Sequence, residues 1–156
     1  MGESILSQKK LLVVDDELDI LNIVKEEIIG CCADTKIDTA NNYEDAVQLL
    51  ESKNYDLVIL DIMGVRGFDL LKIAVTRKFK VAMLTAHSLN PEALKKSRDM
   101  GAMAFLPKEK LGELIPVLED ILQNDYTSAW KKVLERLEDY YTEKFGSPEW
   151  KPTFWG

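Results

Sequence analysis

Residues 11–16 read LLVVDD and residues 57–61 read LVILD, and these two stretches are the strongest indication of fold class in the chain. Each is an apolar run that ends on aspartate, which suits a strand covered by helices on both faces of a parallel sheet. The carboxyl ends of parallel strands meet along one edge, so Asp15, Asp16 and Asp61 are expected to converge there. The two stretches therefore predict an α/β protein with a carboxylate cluster at one edge of its sheet.

Three further apolar, partly β-branched runs complete a set of five predicted strands. The five runs are residues 11–14, 36–40, 56–60, 80–85 and 102–106. Between them lie amphipathic segments of helical length, whose apolar residues recur at helical spacing. Asn90 followed by Pro91 marks the start of the fourth segment, and Gly101 marks its end. This alternation predicts a doubly wound (βα)5 parallel sheet.

Composition and charge restrict the class of protein. A length of 156 residues allows one full domain with an appendage. Twenty Lys and Arg residues against 27 Asp and Glu residues leave a net charge of −7, which disfavours direct binding to nucleic acid. No apolar stretch approaches the roughly 18 residues of a membrane span, and the start MGESILSQKK lacks the apolar core of a secretory signal. We therefore expect a cytoplasmic protein without membrane contact.

The end of the chain differs from the rest, because eight of the thirteen aromatic residues lie after Asn124. Apolar residues at helical spacing in this stretch are Trp130, Val133, Leu134, Leu137, Tyr141 and Phe145. The pattern predicts a domain over residues 9–124 and a helical extension over 125–156, although one unbroken helix over 112–145 also fits. Two alternatives stay open for the extension: it folds back on its own domain, or it forms a dimerisation or partner surface.

The predicted sheet edge collects groups that suit a metal and a phosphate. Three carboxylates at close range repel one another, and a hard cation such as Mg²⁺ relieves the repulsion through oxygen ligands. Lys108 follows the fifth strand and offers a compact positive charge, which pairs with a carboxylate or a phosphoryl group. Thr85 ends the fourth strand and adds a hydroxyl. The edge is therefore a candidate site for phosphate chemistry with a divalent cation.

Four motifs resemble the receiver domains of two-component response regulators. VVDDE at 13–17, LVILDIM at 57–63, MLTA at 83–86 and GAMAFLPK at 101–108 have that family's order and spacing. The resemblance implies a CheY-like, flavodoxin-like fold with strand order 2-1-3-4-5. It also implies that Asp61 is the phosphoacceptor, a nucleophilic carboxylate that becomes an acyl phosphate.

The resemblance assigns the other residues of the edge as well. The implied ligands of Mg²⁺ are Asp15, Asp16, Asp61 and the backbone carbonyl of Met63. The groups implied to hold the phosphoryl oxygens are the Lys108 side chain, the Thr85 side chain and the backbone of Ala86. Thr85 and Phe105 are implied to form the conformational switch. Two features depart from the family pattern: the loop GVRG at 64–67 is about two residues short and lacks proline, and Pro107 precedes Lys108 instead of following it.

The expected function is that of a stand-alone receiver, phosphorylated with Mg²⁺ by a histidine kinase or a phosphotransfer protein. It signals to a downstream protein target, and a homodimer through the extension or through the fourth and fifth helices is left open. A multi-turnover enzyme is not expected, although the resemblance implies autophosphatase activity. The alternative is a degenerate, unphosphorylated receiver that acts as an adaptor or a dimerisation module. A phosphatase of the haloacid dehalogenase type is less favoured, because it requires Asp-x-Asp where this chain has Glu17.

His87, the only histidine, is interpreted as a surface loop residue.

Overall fold

Five strands form one parallel sheet. The strands are β1 (Lys10–Val14), β2 (Lys36–Ala40), β3 (Leu57–Asp61), β4 (Lys80–Thr85) and β5 (Ala104–Pro107). Their spatial order is β2-β1-β3-β4-β5, which confirms the predicted order 2-1-3-4-5. The structure is a computed structural model that describes residues 4–86 and 90–146. The prediction for His87, and residues 147–156 of the predicted extension, lie outside the described residues.

Four helices connect successive strands, two more follow the last strand, and together they cover the sheet. They are α1 (Leu18–Cys31), α2 (Tyr43–Ser52), α3 (Gly67–Thr76), α4 (Pro91–Asp99), α5 (Leu114–Gln123) and α6 (Tyr126–Phe145). Every residue of β3 is buried, as expected of a central strand with helices on both sides. Within residues 4–86 and 90–146, no helix has the length and apolar character that crossing a bilayer requires.

Side-chain caps set the starts of α2 and α4. The Asn42 side chain accepts a hydrogen bond from the Asp45 amide at 2.8 Å, and the Asn90 side chain accepts one from the Ala93 amide at 2.7 Å. Each cap satisfies one backbone donor that has no partner inside the helix. The predicted start of the fourth helix at Asn90 and Pro91 is therefore confirmed.

The segment after β5 does not start a single α-helix at residue 112, as the alternative of one unbroken helix over 112–145 requires. A 3-10 helix spans Lys108–Glu113, and α5 begins only at Leu114. Lys110 has a non-helical backbone, with φ −112° and ψ 28°, and this irregular residue separates the two conformations. Pro116 lies in the first turn of α5, where its missing N–H costs little. No peptide bond in the described part of the chain is cis, so both bonds flanking Pro107-Lys108 are trans.

The described part of the extension folds back on the domain that carries the sheet. The backbone is extended at Asn124, and Asp125 caps α6 by accepting from the Ser128 amide at 2.9 Å, so the helix is broken there. Trp130 is fully buried, and its Nε1 donates to the carbonyl oxygen of Ala102 at 2.7 Å. Helix α6 packs on β5 and α5 and belongs to the same hydrophobic core as the sheet. Of the two alternatives for the extension, the structure shows folding back for residues 126–145.

Candidate functional site

The register of β1 and β3 places two aspartates side by side. Val14 pairs with Leu60 in this register, so Asp15 and Asp61 are the next residues at the same edge. Carboxylate oxygens of Asp15, Asp16 and Asp61 all lie within 4.8 Å of one another. Asp15 and Asp61 are buried, whereas Asp16 is exposed and opens the cluster to solvent. The convergence of the three carboxylates predicted from the strand ends is thus present.

Lys108 links the carboxylate cluster to the edge strand β5. Its Nζ atom lies 2.8 Å from Oδ2 of Asp15 and 3.1 Å from Oδ1 of Asp61. The side chain starts just after β5, with β4 between it and β3, so its length is needed to reach both acids. Only 8% of the side chain is exposed. One buried cation therefore interacts with two buried carboxylates.

Burial and like charge perturb the titration of this cluster. Burial, and after it the negative charge of Asp15, raise the pKa of Asp61 to about 7, although the positive charge of Lys108 opposes both effects. Burial also raises the pKa of Asp15, against the hydrogen bond from Lys108. For Lys108, burial lowers the pKa, but the bonds and charges of Asp15 and Asp61 outweigh it, and the net shift is upward. A single lysine does not neutralise three carboxylates, and their oxygens form a donor set that fits a hard divalent cation.

Thr85 lies at the same edge, between the end of β3 and Lys108. It is the last residue of β4, where Leu84 pairs with Asp61 and Thr85 pairs with Pro107. The residue is buried, and among the described residues its hydroxyl has no hydrogen-bond partner. A buried hydroxyl without a partner is costly, so the Thr85 hydroxyl is a candidate donor at this edge. Its predicted role in holding a phosphoryl oxygen remains a prediction.

Two glycines bring the short loop after β3 against the acids. Gly64 has φ +79°, and a Cβ atom there would lie 2.5 Å from Oδ1 of Asp16. A Cβ atom on Gly67 would lie 2.1 Å from the carbonyl oxygen of Asp61. Both contacts are closer than a side chain tolerates, so glycine allows α3 to start directly against the end of β3. Sequence reasoning noted the short loop but missed these two glycines, although their three-residue spacing was visible.

The remaining predicted residues fall into two groups. Met63 and Ala86 lie in loops at the site's edge, and the Met63 side chain is 53% exposed. The roles predicted for the Met63 carbonyl and the Ala86 backbone remain predictions. Phe105 is fully buried in β5, where its ring centroid lies 6.0 Å from that of Tyr141. Sequence reasoning also missed Glu17, whose Oε1 lies 3.6 Å from the Lys108 Nζ and which ends the VVDDE motif.

The chain belongs to the response regulator receiver domain family, whose sequence model matches residues 11–119. Proteins of this family are the receivers of two-component signalling, and they bind Mg²⁺ at an acidic pocket. A curated relative is the probable transcriptional regulator ycf29 of Pyropia yezoensis, which is 30% identical over 123 residues. The match covers 74% of this chain and 54% of the relative, so the chain spans about half the length of that protein.

Solved structures agree with this assignment. The response regulator TrrA from Thermotoga maritima, crystallised in complex with Mg²⁺-BeF, is 36% identical with a TM-score of 0.62, over 73% of this chain and 99% of TrrA. NtrX from Brucella abortus is 30% identical with a TM-score of 0.65, over 83% of this chain and 29% of NtrX. The predicted CheY-like receiver fold is confirmed. Because the carboxylate cluster and its lysine are intact, the degenerate-receiver alternative is not favoured.

Proposed function

We propose that Asp61 accepts a phosphoryl group from a histidine kinase or a phosphotransfer protein, with Mg²⁺ held by the carboxylate cluster. The observation that carries the proposal is the position of Asp61 at the end of β3. This carboxylate is 5% exposed, lies 3.1 Å from the Lys108 Nζ and belongs to the cluster with Asp15 and Asp16. A nucleophile, a cation site and a phosphate-binding lysine thus share one edge of the sheet.

The residues that would hold the cation are those of the cluster. Asp16, Asp61 and the Met63 carbonyl are the proposed ligands, with Asp15 binding directly or through water. When bound, Mg²⁺ neutralises the carboxylates and the charge that develops on the phosphoryl oxygens. Burial and the charge of Asp15 raise the pKa of Asp61, and a bound cation would offset the same unfavourable negative charge that a proton offsets.

The transfer step uses groups of this chain at stated atoms. A carboxylate oxygen of Asp61 forms a bond to phosphorus while the phosphorus–nitrogen bond of the donor breaks, and the electron pair of that bond stays on the imidazole. The Lys108 ammonium, already beside Asp61, pairs with a phosphoryl oxygen. The Thr85 hydroxyl and the Ala86 amide donate to the other oxygens. Burial of Asp61 and Lys108 strengthens these interactions, because the surrounding dielectric is low.

The proposed partners follow from the family, whose receivers interact with kinases or phosphotransfer proteins and with downstream targets. We assign residues 9–124 to the receiver unit and residues 125–156 to the extension. The homodimer through the extension or through α4 and α5 remains a prediction. The described part of α6 already covers β5 and part of α5 within one chain, so a partner would meet α6 on that side.

Phosphorylation of the purified chain tests this function. Acetyl phosphate with Mg²⁺ is expected to add the mass of one phosphoryl group, and a chelator is expected to prevent the addition. Asp61→Asn is expected to abolish the mass shift, whereas Asp19→Asn, an exposed aspartate on α1, is expected to retain it. A native chain that stays unmodified, or an Asp61→Asn variant that is still modified, contradicts the proposal.

A further inference from the structure

We propose that Tyr140 and Tyr141 of α6 are positioning residues for phosphoryl transfer, because their hydroxyls hold the two ends of the segment that carries Lys108. This inference rests on the proposed function of Asp61 and extends it to a helix outside the residues matched to the family. It gives the extension a role in the chemistry of the site, beyond its contribution to the core.

Two consecutive tyrosines bracket the lysine. The Tyr141 hydroxyl donates a hydrogen bond to the carbonyl oxygen of Phe105, three residues before Lys108. The Tyr140 hydroxyl donates to Oε1 of Glu109, the residue after Lys108, at 3.0 Å. Helix α6 therefore contacts the chain on both sides of the residue whose Nζ lies between Asp15 and Asp61.

The position of β5 in the sheet explains why these contacts matter. β5 is an edge strand with β4 as its only neighbour among the described strands, so carbonyl groups on its free side need other partners. Side chains of α6 supply two of them: the Trp130 indole donates to Ala102 just before β5, and Tyr141 donates to Phe105 within β5. Helix α6 thus supplies hydrogen-bond donors to carbonyl groups at or beside this edge strand.

The Tyr141 contact is a buried one. Tyr141 is fully buried, and burial raises the pKa of its hydroxyl well above the ordinary value, so it remains a neutral donor. Its ring also packs against the Phe105 ring and stacks on Phe145, with centroids 6.0 Å and 5.4 Å apart. Hydrogen bond and ring contacts together fix the backbone of β5 relative to α6.

The Lys108 ammonium can be held in one position only if the backbone of Lys108 is itself fixed. The lysine side chain is long and flexible, so its ammonium is held at a phosphoryl group only as well as its backbone is held. The residues after Lys108 form a 3-10 helix with an irregular backbone at Lys110, which gives the segment little rigidity of its own. Loosening it should lower the rate of transfer, because preorganisation of charged groups carries much of the rate enhancement.

The test compares tyrosine hydroxyls on the same helix. The double variant Tyr140→Phe/Tyr141→Phe keeps both rings and removes both hydrogen bonds to the Lys108 segment. Tyr126→Phe is the matched control, because its hydroxyl also donates to a backbone carbonyl, that of Arg98, which belongs to α4. With acetyl phosphate at saturating Mg²⁺, the double variant is expected to be phosphorylated about fivefold to tenfold more slowly, as the loss of one or two modest hydrogen bonds implies. Tyr126→Phe is expected to keep the native rate.

A second readout separates positioning from stability. Coupling between two sites is reciprocal, so filling the phosphate site should in turn stabilise the docking of α6. Mg²⁺ with beryllofluoride is expected to slow amide hydrogen exchange in residues 126–145 of the native chain and of Tyr126→Phe. In the double variant this slowing is expected to be lost. If the two tyrosine hydroxyls only stabilise the docking of α6, the double variant should exchange its amide hydrogens faster by the same factor with and without beryllofluoride.

The outcomes distinguish this inference from the function on which it rests. A native chain that is phosphorylated normally, together with a double variant as fast as Tyr126→Phe, overturns the inference and leaves the function of Asp61 intact. A native chain that takes up neither a phosphoryl group nor beryllofluoride contradicts the proposed function itself. If the double variant does not fold, Tyr140→Phe alone keeps the buried hydroxyl of Tyr141 and is expected to slow phosphorylation about threefold. A native rate for Tyr140→Phe would then overturn the inference.

Discussion

The Nζ atom of Lys108 lies 2.8 Å from Oδ2 of Asp15, a carboxylate that solvent does not reach. The same ammonium lies 3.1 Å from Asp61, so one positive charge is shared by two buried acids, with Asp16 beside them. A core filled with apolar groups would avoid this arrangement, because partly compensated buried charge destabilises the folded state. Retaining such a cluster is typical of a functional site and leads to the following predictions.

Magnesium should stabilise the chain against heat. A cation that binds only the folded state adds about 2.7 kcal/mol of stability at a concentration a hundred times its Kd. The melting temperature measured by differential scanning fluorimetry should therefore rise with Mg²⁺ concentration. Asp16→Asn should lose most of this rise and still fold, because Asp16 is the exposed member of the cluster. Equal rises in both proteins would show that the cation binds elsewhere.

Asp61→Asn should change how stability depends on pH in the absence of metal. The pKa of Asp61 rises from 3.8 to about 7 on folding, so the folded chain binds a proton more tightly than the unfolded chain does. The stability contributed by this proton is present below about pH 3.8 and is lost as pH rises towards 7. Asparagine does not titrate, so the variant should gain on the order of 2–4 kcal/mol relative to the native chain between pH 4 and 8.

Urea unfolding in the presence of a chelator measures this difference. Asp19→Asn serves as the control, since the exposed Asp19 carboxylate lies outside the cluster. A difference between Asp61→Asn and the native chain that does not change with pH would mean that Asp61 is ionised in the folded, metal-free protein throughout this range.

Lys108→Met should slow phosphorylation strongly without preventing metal binding. Methionine keeps much of the volume of the stem but removes the charge that faces Asp61 and the transferred group. Removing one charge-stabilising donor typically costs about a hundredfold to a thousandfold in rate. Single-turnover phosphorylation by acetyl phosphate measures the effect, and Lys95→Met on the exposed face of α4 should retain the native rate. The Mg²⁺-dependent rise in melting temperature should persist in Lys108→Met, and its loss would mean that the lysine organises the cation site instead.

Trp130→Ala should destabilise the whole fold. The indole is fully buried between α6 and the sheet, and its Nε1 donates to Ala102 at 2.7 Å. Truncating a buried tryptophan typically costs about 3–5 kcal/mol. Lys132→Ala, an exposed position on the same helix, should change the free energy of unfolding by about 0.5 kcal/mol or less. Equal, small effects in urea unfolding would show that α6 is not docked in solution.

Much of the fold and the central residues of the site could be predicted from local sequence. The continuous apolar runs of β1 and β3 indicate strands buried on both faces, and parallel topology then forces their terminal aspartates to one edge. Asp15, Asp16, Asp61 and Lys108 could therefore be expected to meet before any distance was known. The 3-10 helix at Lys108–Glu113 was not predictable in the same way, because all its residues except Gly112 have ordinary helical propensity and its backbone depends on what packs around it.

The close contacts of the loop after β3 with Asp16 and Asp61 could not be predicted from the sequence either. A short loop with Gly64 and Gly67 is compatible with many conformations, since glycine is permissive. Only the tertiary structure shows that their missing Cβ atoms make room for the Asp16 carboxylate and the Asp61 carbonyl.

The alternation of strands and helices and the chemistry of the sheet edge could be predicted from residue order alone, because both follow from periodicity and from the polarity of strand ends. The position of α6 could be read only from the folded chain. Its apolar spacing suits folding back and partner binding equally, because hydrophobic attraction has no direction. In the folded chain α6 buries Trp130 and Tyr141 beside the edge strand β5, where Trp130 donates to the carbonyl of Ala102 and Tyr141 donates to that of Phe105.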